Sequence, residues 1–451
     1  MRILLVSPSI DPESETPKGL MIPQLALHIL EGLTPEHHEV KIVEEELERV
    51  DVDEPWDLVG ISCLTSNAPR AYFLGDEFRK RGAKVVLGGV HPTLLPDEAL
   101  AHADSVVIGE AEGVWAEVLR DAERDSLRDT YHRPEPDLTR YVPKRYDHVG
   151  NKRLFNVIPL QTTRGCPYDC DFCCVARIYG KKIRHIPIEN VLRDIEESRG
   201  KVFIFLDDNI IARKRYAKEL FRAITPLRVK WVGQASVSFV HDLELMRLAR
   251  DSGCKGLFFG VETVDEAQLQ RMKKSIKEVR RIEEAIRKVR KLGIHFHASM
   301  VLGFDDDTRA TFPEMLDFLH RNKVGTVSFN VLTPYPGTRI YDQFKREGRL
   351  LTDDWKHYDH CTVVFRPKNM TPYELQAGAM WVKRRFSSWR SILRRLPSNW
   401  HHPLLYLAMN RGLRCSLKTD PAKLSGLATT LFGEPGFGSS RIPPVPGAVI
   451  R

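Results

Sequence analysis

Along residues 1–125, short and almost unbroken apolar runs alternate with stretches whose apolar positions recur every three or four residues. The runs at 3–7, 40–44, 58–62, 84–88 and 105–108 are rich in Val, Ile and Leu, as strands buried on both faces are. Helical periodicity occupies 21–31, 70–81, 96–102 and 113–122 between them. Five strands separated by helices predict a doubly wound parallel α/β sheet, which binds its ligands beyond the carboxyl ends of the strands. Residues 126–150 lose this rhythm, and three prolines fall within 123–150. That segment is expected to be a linker wrapping the surface.

The alternation resumes over 151–345. Strands are predicted at 155–159, 202–206, 229–232, 256–260, 296–302 and 326–331, with helices at 188–198, 214–224, 241–252, 278–292 and 309–322. Six such units predict a partial (β/α)6 barrel whose chemistry sits on loops at the C-terminal strand ends. From 346 to 432 the pattern is helical and irregular. Residues 433–451, rich in Gly, Pro and Ser, read as a disordered tail.

Hydrophobic residues are 42% and charged residues 28% of 451, ordinary values that exclude collagenous, coiled-coil and wholly disordered chains. No apolar run approaches the roughly 18 residues of a membrane span. The apolar start Ile3-Leu4-Leu5-Val6 is shorter than the about 7–15 residues of a signal-peptide core. The expectation is a soluble, cytoplasmic protein. The net charge of +8 is concentrated, because residues 381–423 hold ten Lys or Arg against one acid, Asp420. A basic partner surface therefore belongs to the C-terminal segment.

Cys63, Cys254, Cys361 and Cys415 are scattered, whereas Cys166, Cys170, Cys173 and Cys174 crowd into nine positions. Without an export signal, such a cluster points to a metal or metal cluster rather than to disulfides. Cys166, Cys170 and Cys173 have C-x-x-x-C-x-x-C spacing on a loop that leaves the first strand of the predicted barrel. Three thiolates there can hold three irons of a four-iron cluster and leave the fourth open to a substrate. A structural zinc site with Cys174 as fourth ligand is the competing reading. Adjacent cysteines rarely aim at one metal, and zinc usually takes two spaced cysteine pairs. Outside a zinc site, Cys174 packs as a small hydrophobe.

The motif, with Phe172 before its last cysteine and six βα units around it, resembles the radical S-adenosylmethionine (SAM) superfamily. The resemblance implies a 4Fe-4S cluster on Cys166, Cys170 and Cys173 whose open iron chelates the amino and carboxylate groups of SAM. One electron then cleaves the sulfonium to a 5′-deoxyadenosyl radical. An external donor of the flavodoxin or ferredoxin type goes with that chemistry. The resemblance also implies SAM contacts from Phe172 and from successive strand ends. These are Asp207 and Asp208 after the second strand, Gln234 and Ser236 after the third, Glu262 near the ribose, and Gly303 near the adenine. Plainer roles exist: Asp207 and Asp208 as helix caps near Arg213, and Glu262 as partner of a surface lysine. Their joint position at consecutive strand ends favours the ligand reading.

The first domain carries Ser62, Thr65 and Ser66 after its third strand, Gly88 and Gly89 after its fourth, and Gly109 and Glu110 after its fifth. No G-x-G-x-x-G follows the first strand, which weakens a nicotinamide or flavin reading. The arrangement resembles the cobalamin-binding domain of cobalamin-dependent radical SAM enzymes, which implies that the nucleotide tail of cobalamin lies across these residues. The D-x-H-x-x-G motif is absent, so cobalt is expected without a protein histidine, and His91, beside Pro92, is expected to be structural.

Asp354-Trp355, Tyr358-Asp359, Val363–Pro367 and Met370–Leu375 resemble the segment after the barrel in the same group, to which the hopanoid methyltransferases, acting on a membrane lipid, belong. Within 381–418, Trp389, Ile392, Leu393 and Leu396 fall on one helical face and leave arginines on the other. The pattern fits a helix lying peripherally on the inner face of an anionic membrane, and equally one packed on the barrel. Nucleic acid is disfavoured because no RNA-binding module is recognisable.

These readings together predict a cobalamin-dependent radical SAM enzyme, a methyltransferase acting on an unactivated carbon of a small molecule or lipid. Two alternatives stand beside it. One is a relative that uses the same cofactors for cyclisation or rearrangement without methyl transfer; the other is a cobalamin-binding sensor or carrier with a degenerate barrel. A methylthiotransferase is set aside because the first domain lacks that family's three extra cysteines.

Overall fold

The computed structural model describes residues 1–12, 22–133, 135–144, 146, 157–271, 279–415, 417 and 420–432. The predicted strand start at 155–156, the predicted helix start at 278 and the tail 433–451 lie outside the described residues.

Strands β1 (Arg2–Ser7), β2 (Glu39–Glu44), β3 (Leu58–Ser62), β4 (Lys84–Gly88), β5 (Ser105–Ile108) and β6 (Thr130–His132) form one parallel sheet in the order β2-β1-β3-β4-β5-β6. Both faces are covered. Leu4, Val6, Val59 and Ile61 pack with Leu74 and Phe78, while Ile3, Leu5 and Leu58 pack with Trp115, Val118 and Leu119. This two-sided burial is why the strands read as unbroken apolar runs. Winding reverses between β1 and β3, which opens a crevice at their C-terminal ends.

The sixth strand corrects the expectation of five, and it lies in the stretch read as linker. Only Tyr131 is buried in it, between exposed Thr130 and His132, so it carries too little periodicity to be seen in sequence. The Tyr131 hydroxyl donates to Asp121 at 2.6 Å, tying the strand to the preceding helix Trp115–Glu123.

The second sheet starts with β7 (Val157–Leu160). A small antiparallel pair, β8 (Thr163–Arg164) and β9 (Arg184–His185), comes next, before β10 (Val202–Phe205), β11 (Lys230–Ala235), β12 (Cys254–Glu262), β13 (His295–Leu302) and β14 (Thr326–Val331). The six long strands are parallel and lie in chain order from β7 to β14, the arrangement of an open partial barrel. Helices Lys214–Ile224, Leu243–Asp251, Val279–Lys291 and Thr311–Arg321 bury one apolar stripe each against outward-facing Phe203, Phe205, Trp231, Phe259, Phe296 and Met300.

C-terminal helices Pro372–Phe386, Trp389–Arg395, Pro403–Cys415 and Asp420–Thr430 follow. The expectation of one amphipathic helix fails at Ser387-Ser388, where the first helix ends and Ser388 caps the next through Ser391 N–H. The expected faces also exchange. Ile392 is buried, but Trp389 and Leu393 are 50% and 58% exposed and Arg395 is 1% exposed. Arg395 donates to the carbonyls of Val324, Gly325, Phe386 and Ser391 at 2.7–3.1 Å. Its planar fork satisfies several backbone groups at once, which is what draws a charged residue inside. Among the described residues no helix is long and apolar enough to cross a membrane.

Candidate active site

β8 and β9 form the base of an excursion, residues 165–183, that carries all four clustered cysteines. Gly165 opens it at φ +91°, and a Cβ there would stand 2.5 Å from the Lys182 carbonyl oxygen, so only glycine closes the loop. The Cys173 N–H donates to the Cys170 carbonyl at 3.1 Å, a tight turn that gathers the last two cysteines of the motif. The four are half-buried and in no disulfide. Burial pushes the Cys173 thiol up to about 12. A thiolate at this spot therefore calls for a neighbouring cation, and this donor set fits iron. On its outer side the loop is gripped by Arg339, whose Nε and Nη1 donate to Asp171 at 2.5 Å and Asp169 at 2.9 Å.

The strand ends of the second sheet converge on this loop, though not every expected side chain does. Asp207 is fully buried and turns away from the opening. It accepts the hydroxyls of Thr162 and Thr163 at 2.7 and 2.6 Å, together with both their backbone N–H groups. Burial pushes its carboxyl up, against these hydrogen bonds. Its place is that of a brace for the turn leading to Cys166. Asp208 is the carboxylate that faces the cavity, pushed up to about 6 by burial and by the Asp207 charge.

Gln234 is exposed at the end of β11. Ser236 is tied to Asn209, whose Oδ1 accepts its N–H at 3.1 Å. Glu262 is buried at φ +68°, beside an irregularity in the β12–β13 register. A non-glycine residue held in that conformation is the kind of strain found at ligand sites. Gly303, at φ +104°, donates its N–H to Asp307 at 2.7 Å, and Phe304 after it meets Phe172 edge to face at 6.0 Å. The cysteine loop and the fifth strand end of the barrel thus share an aromatic contact.

A cavity of about 330 Å³ opens between the two sheets. Ser62, Gly88, Gly89, Gly109 and Glu110 line it from the first sheet, and Gln161, Arg164, Tyr179, Leu206 and Asp208 from the second. Thr65 and Ser66 do not reach it: Thr65 is buried with no hydrogen-bond partner for its hydroxyl among the described residues, and Asn67 lines the wall instead. His91 is buried away from the cavity, with Nε2 3.2 Å from Glu98 and its ring edge-on to Trp355. Gly88, Gly89 and Gly109 in that lining let a ligand approach the backbone closely, which fits the nucleotide tail of a cobalamin.

Gly89 sits at φ +99°, and its Cβ would stand 2.6 Å from the Cys63 carbonyl oxygen. Gly89→Ala is expected to cost about 1–3 kcal/mol in backbone strain, before any clash is relieved. Thermal denaturation and the absorbance of retained cobalamin after gel filtration would both fall short of wild type.

Residues 160–319 match the radical SAM superfamily model and residues 16–119 match the B12 binding domain. The chain is 31% identical over 427 residues to bacteriochlorophyllide d C-12(1)-methyltransferase of Chlorobaculum tepidum, spanning 91% of this chain and 93% of that one. It is 28% identical to bacteriochlorophyllide d C-8(2)-methyltransferase of the same organism over 91% and 97% of the two chains. Hopanoid C-2 methylase of Rhodopseudomonas palustris is 24% identical, over 80% and 70%. The radical SAM methyltransferase TsrM of Kitasatospora setae, solved with cobalamin and a 4Fe-4S cluster, has a similar fold, with a TM-score of 0.70 at 15% identity over 92% and 99% of the chains.

Fold and site together define a radical SAM enzyme with a cobalamin-binding domain in front of its barrel. The chain belongs to the cobalamin-dependent radical SAM methyltransferases. It is a C-methyltransferase whose cofactors are a 4Fe-4S cluster, SAM and cobalamin.

Residues that sequence reasoning passed over include Thr162 and Thr163, which fix Asp207, and Arg184 and Glu112, which join the two sheets. Glu112 stood in view two residues after Glu110; nothing local marked Arg184.

Proposed function

We propose that this enzyme methylates an unactivated carbon of a bulky, apolar ring compound in the cavity between its two sheets. The observation that carries the reading is that one cavity has the glycine-lined strand ends on one wall and Asp208, beside the cysteine loop, on the other. When bound, the cluster with SAM supplies the hydrogen-abstracting chemistry and cobalamin supplies the methyl group. Cys166, Cys170 and Cys173 hold the cluster. Asp208 takes the ammonium group of SAM, Glu262 and Ser236 lie toward the ribose, and Phe172 and Phe304 flank the adenine. Ser62, Gly88, Gly89, Gly109 and Glu110 cradle cobalamin, and apolar Leu25, Ile29 and Leu206 keep water out.

Both bacteriochlorophyllide d methyltransferases align over nine-tenths of each chain, more than the hopanoid methylase does, which favours a tetrapyrrole over a hopanoid. Anaerobic enzyme carrying cluster and cobalamin would be given SAM, a reductant, and either bacteriochlorophyllide d or a hopanoid. The expected result is 5′-deoxyadenosine, S-adenosylhomocysteine and a tetrapyrrole heavier by one methyl group. Deoxyadenosine without any methylated product from either compound would sink this reading.

The same proposal extends to two partners. Lys181 and Lys182 are 61% and 75% exposed on the cysteine loop, and their charge suits an acidic flavodoxin- or ferredoxin-like donor. Trp389, Leu393, Trp400 and Leu404 are the exposed large apolar side chains of the basic C-terminal region, and they sit among exposed Arg390 and Arg394. That composition suits peripheral contact with an anionic bilayer. The neighbouring segment packs on the loop before β14, through Asn399 to the Lys323 carbonyl and Arg395 to the Val324 carbonyl. The patch thus lies at the end of the barrel opposite the cavity, which gives it a part in anchoring rather than in feeding lipid to the site. Sedimentation with phosphatidylglycerol vesicles is expected to carry the wild type down and to fall several-fold in Trp400→Ser/Leu404→Ser; equal binding to neutral vesicles would remove the electrostatic part.

A further inference from the structure

Arg164 and Arg184 are register partners across β8 and β9, at the foot of the excursion that carries the cysteines. Both reach into the other domain. Arg164 divides its fork, with Nη1 on Glu110, Nη2 on Glu112 and Nε on Gln161 at 2.8 Å. Arg184 grips the second oxygen of Glu110. Arg164 and Glu110 are buried, with side chains 6% and 7% exposed, and Arg184 and Glu112 are largely covered, at 10% and 15%. The glutamates are themselves placed by the turn after β5. Gly109 stands at φ +81° with its N–H on Thr93 Oγ1 at 2.9 Å, and a short helical turn Ala111–Gly113 follows.

Two cations and two anions held largely out of water add little net stability over apolar residues of the same volume, but they tolerate few relative placements. Here the cations belong to the cluster loop and the anions to the domain that holds cobalamin. We propose that this ionic cage sets the distance and orientation between the two cofactors, with Arg164, Arg184, Glu110 and Glu112 as positioning residues. The inference rests on the reading that Cys166, Cys170 and Cys173 hold the cluster and the first sheet's strand ends hold cobalamin. Loosening one link leaves each half with its cofactor and lets the foot of the hairpin shift against the end of β5.

The test uses holoenzyme loaded with cluster and cobalamin, as wild type, Glu112→Gln, Arg164→Lys and the double variant. Iron and cobalamin content are read by absorbance. Partial reduction then produces paramagnetic cobalt and paramagnetic cluster in the same molecule, and electron paramagnetic resonance reads the coupling between the two spins. The single variants are expected to keep both cofactors at wild-type stoichiometry and to lose the defined coupling. The ratio of S-adenosylhomocysteine to 5′-deoxyadenosine should fall by about tenfold or more, the scale expected when reacting groups are displaced by about 1 Å. The double variant should be no worse than the worse single, as residues acting through one contact are. Should Arg164→Lys fail to fold, Arg184→Lys provides the same comparison. Wild-type coupling and product ratio in the single variants would overturn the proposal. A wild type that binds no cobalamin or cleaves no SAM would instead remove the site reading beneath it.

Discussion

Alanine at Cys166, Cys170 or Cys173 is expected to abolish formation of 5′-deoxyadenosine from SAM, whereas Cys174→Ala retains it. Three thiolates are the fewest that hold a four-iron cluster with one iron open, so the loss of any one removes both the cluster and the open position. Burial that pushes the Cys173 thiol up to about 12 makes the loop a poor home for thiolates unless iron is there to hold them. Iron and sulfide content would therefore fall together with turnover. Cobalamin binding should persist in all three variants, because its expected contacts lie on the other sheet. Retained SAM cleavage in any one of the three would sink the ligand assignment. Loss of the cluster in Cys174→Ala would return Cys174 to the ligand set.

Asp207→Ala is the substitution expected to damage the site most without touching a cofactor. The carboxylate is fully buried and accepts from two hydroxyls and two backbone N–H groups. The hydroxyls can rotate to new partners, but the N–H groups of Thr162 and Thr163 cannot, and each orphaned buried donor costs about 1–3 kcal/mol. With the void left by the carboxyl, a loss of about 4 kcal/mol is expected, a large share of the roughly 5–15 kcal/mol that holds a typical domain. Thr163 is three residues before Cys166, so the strain should reach the cluster loop. Urea denaturation should show reduced stability, and the iron content of folded protein should drop. Asp207→Asn keeps an acceptor oxygen where most of the bonds converge and should recover part of both. Wild-type stability in Asp207→Ala would show that the brace is not needed.

The difference between Asp207 and Asp208 shows where reading from sequence stops. Both follow β10 and both suit a cationic ligand, yet alternation along an extended chain sends adjacent side chains to opposite sides. Which one meets the cavity depends on the strand's setting in the sheet. Thr65 and Ser66 failed similarly: hydroxyl chemistry was visible, but the short turn after β3 carries Asn67 to the wall and leaves Thr65 inside. In the C-terminal region Trp389 and Leu393 of the expected apolar face stay exposed, and Arg395 went inside because bare carbonyls at the foot of β14 were waiting for donors.

By itself, the sequence determined what depends on neighbours along the chain. Apolar periodicity set the order of strands and helices in both domains, and four-residue and three-residue steps between cysteines declared the cluster loop. Glycines marked the strand ends where a ligand can approach the backbone. Only the tertiary structure decided how the halves meet. Arg164 and Arg184 find Glu110 across 54 and 74 residues of chain, and no local pattern links them. Their pairing exists because packing takes them largely out of water at one seam, where each charge needs an opposite one within reach.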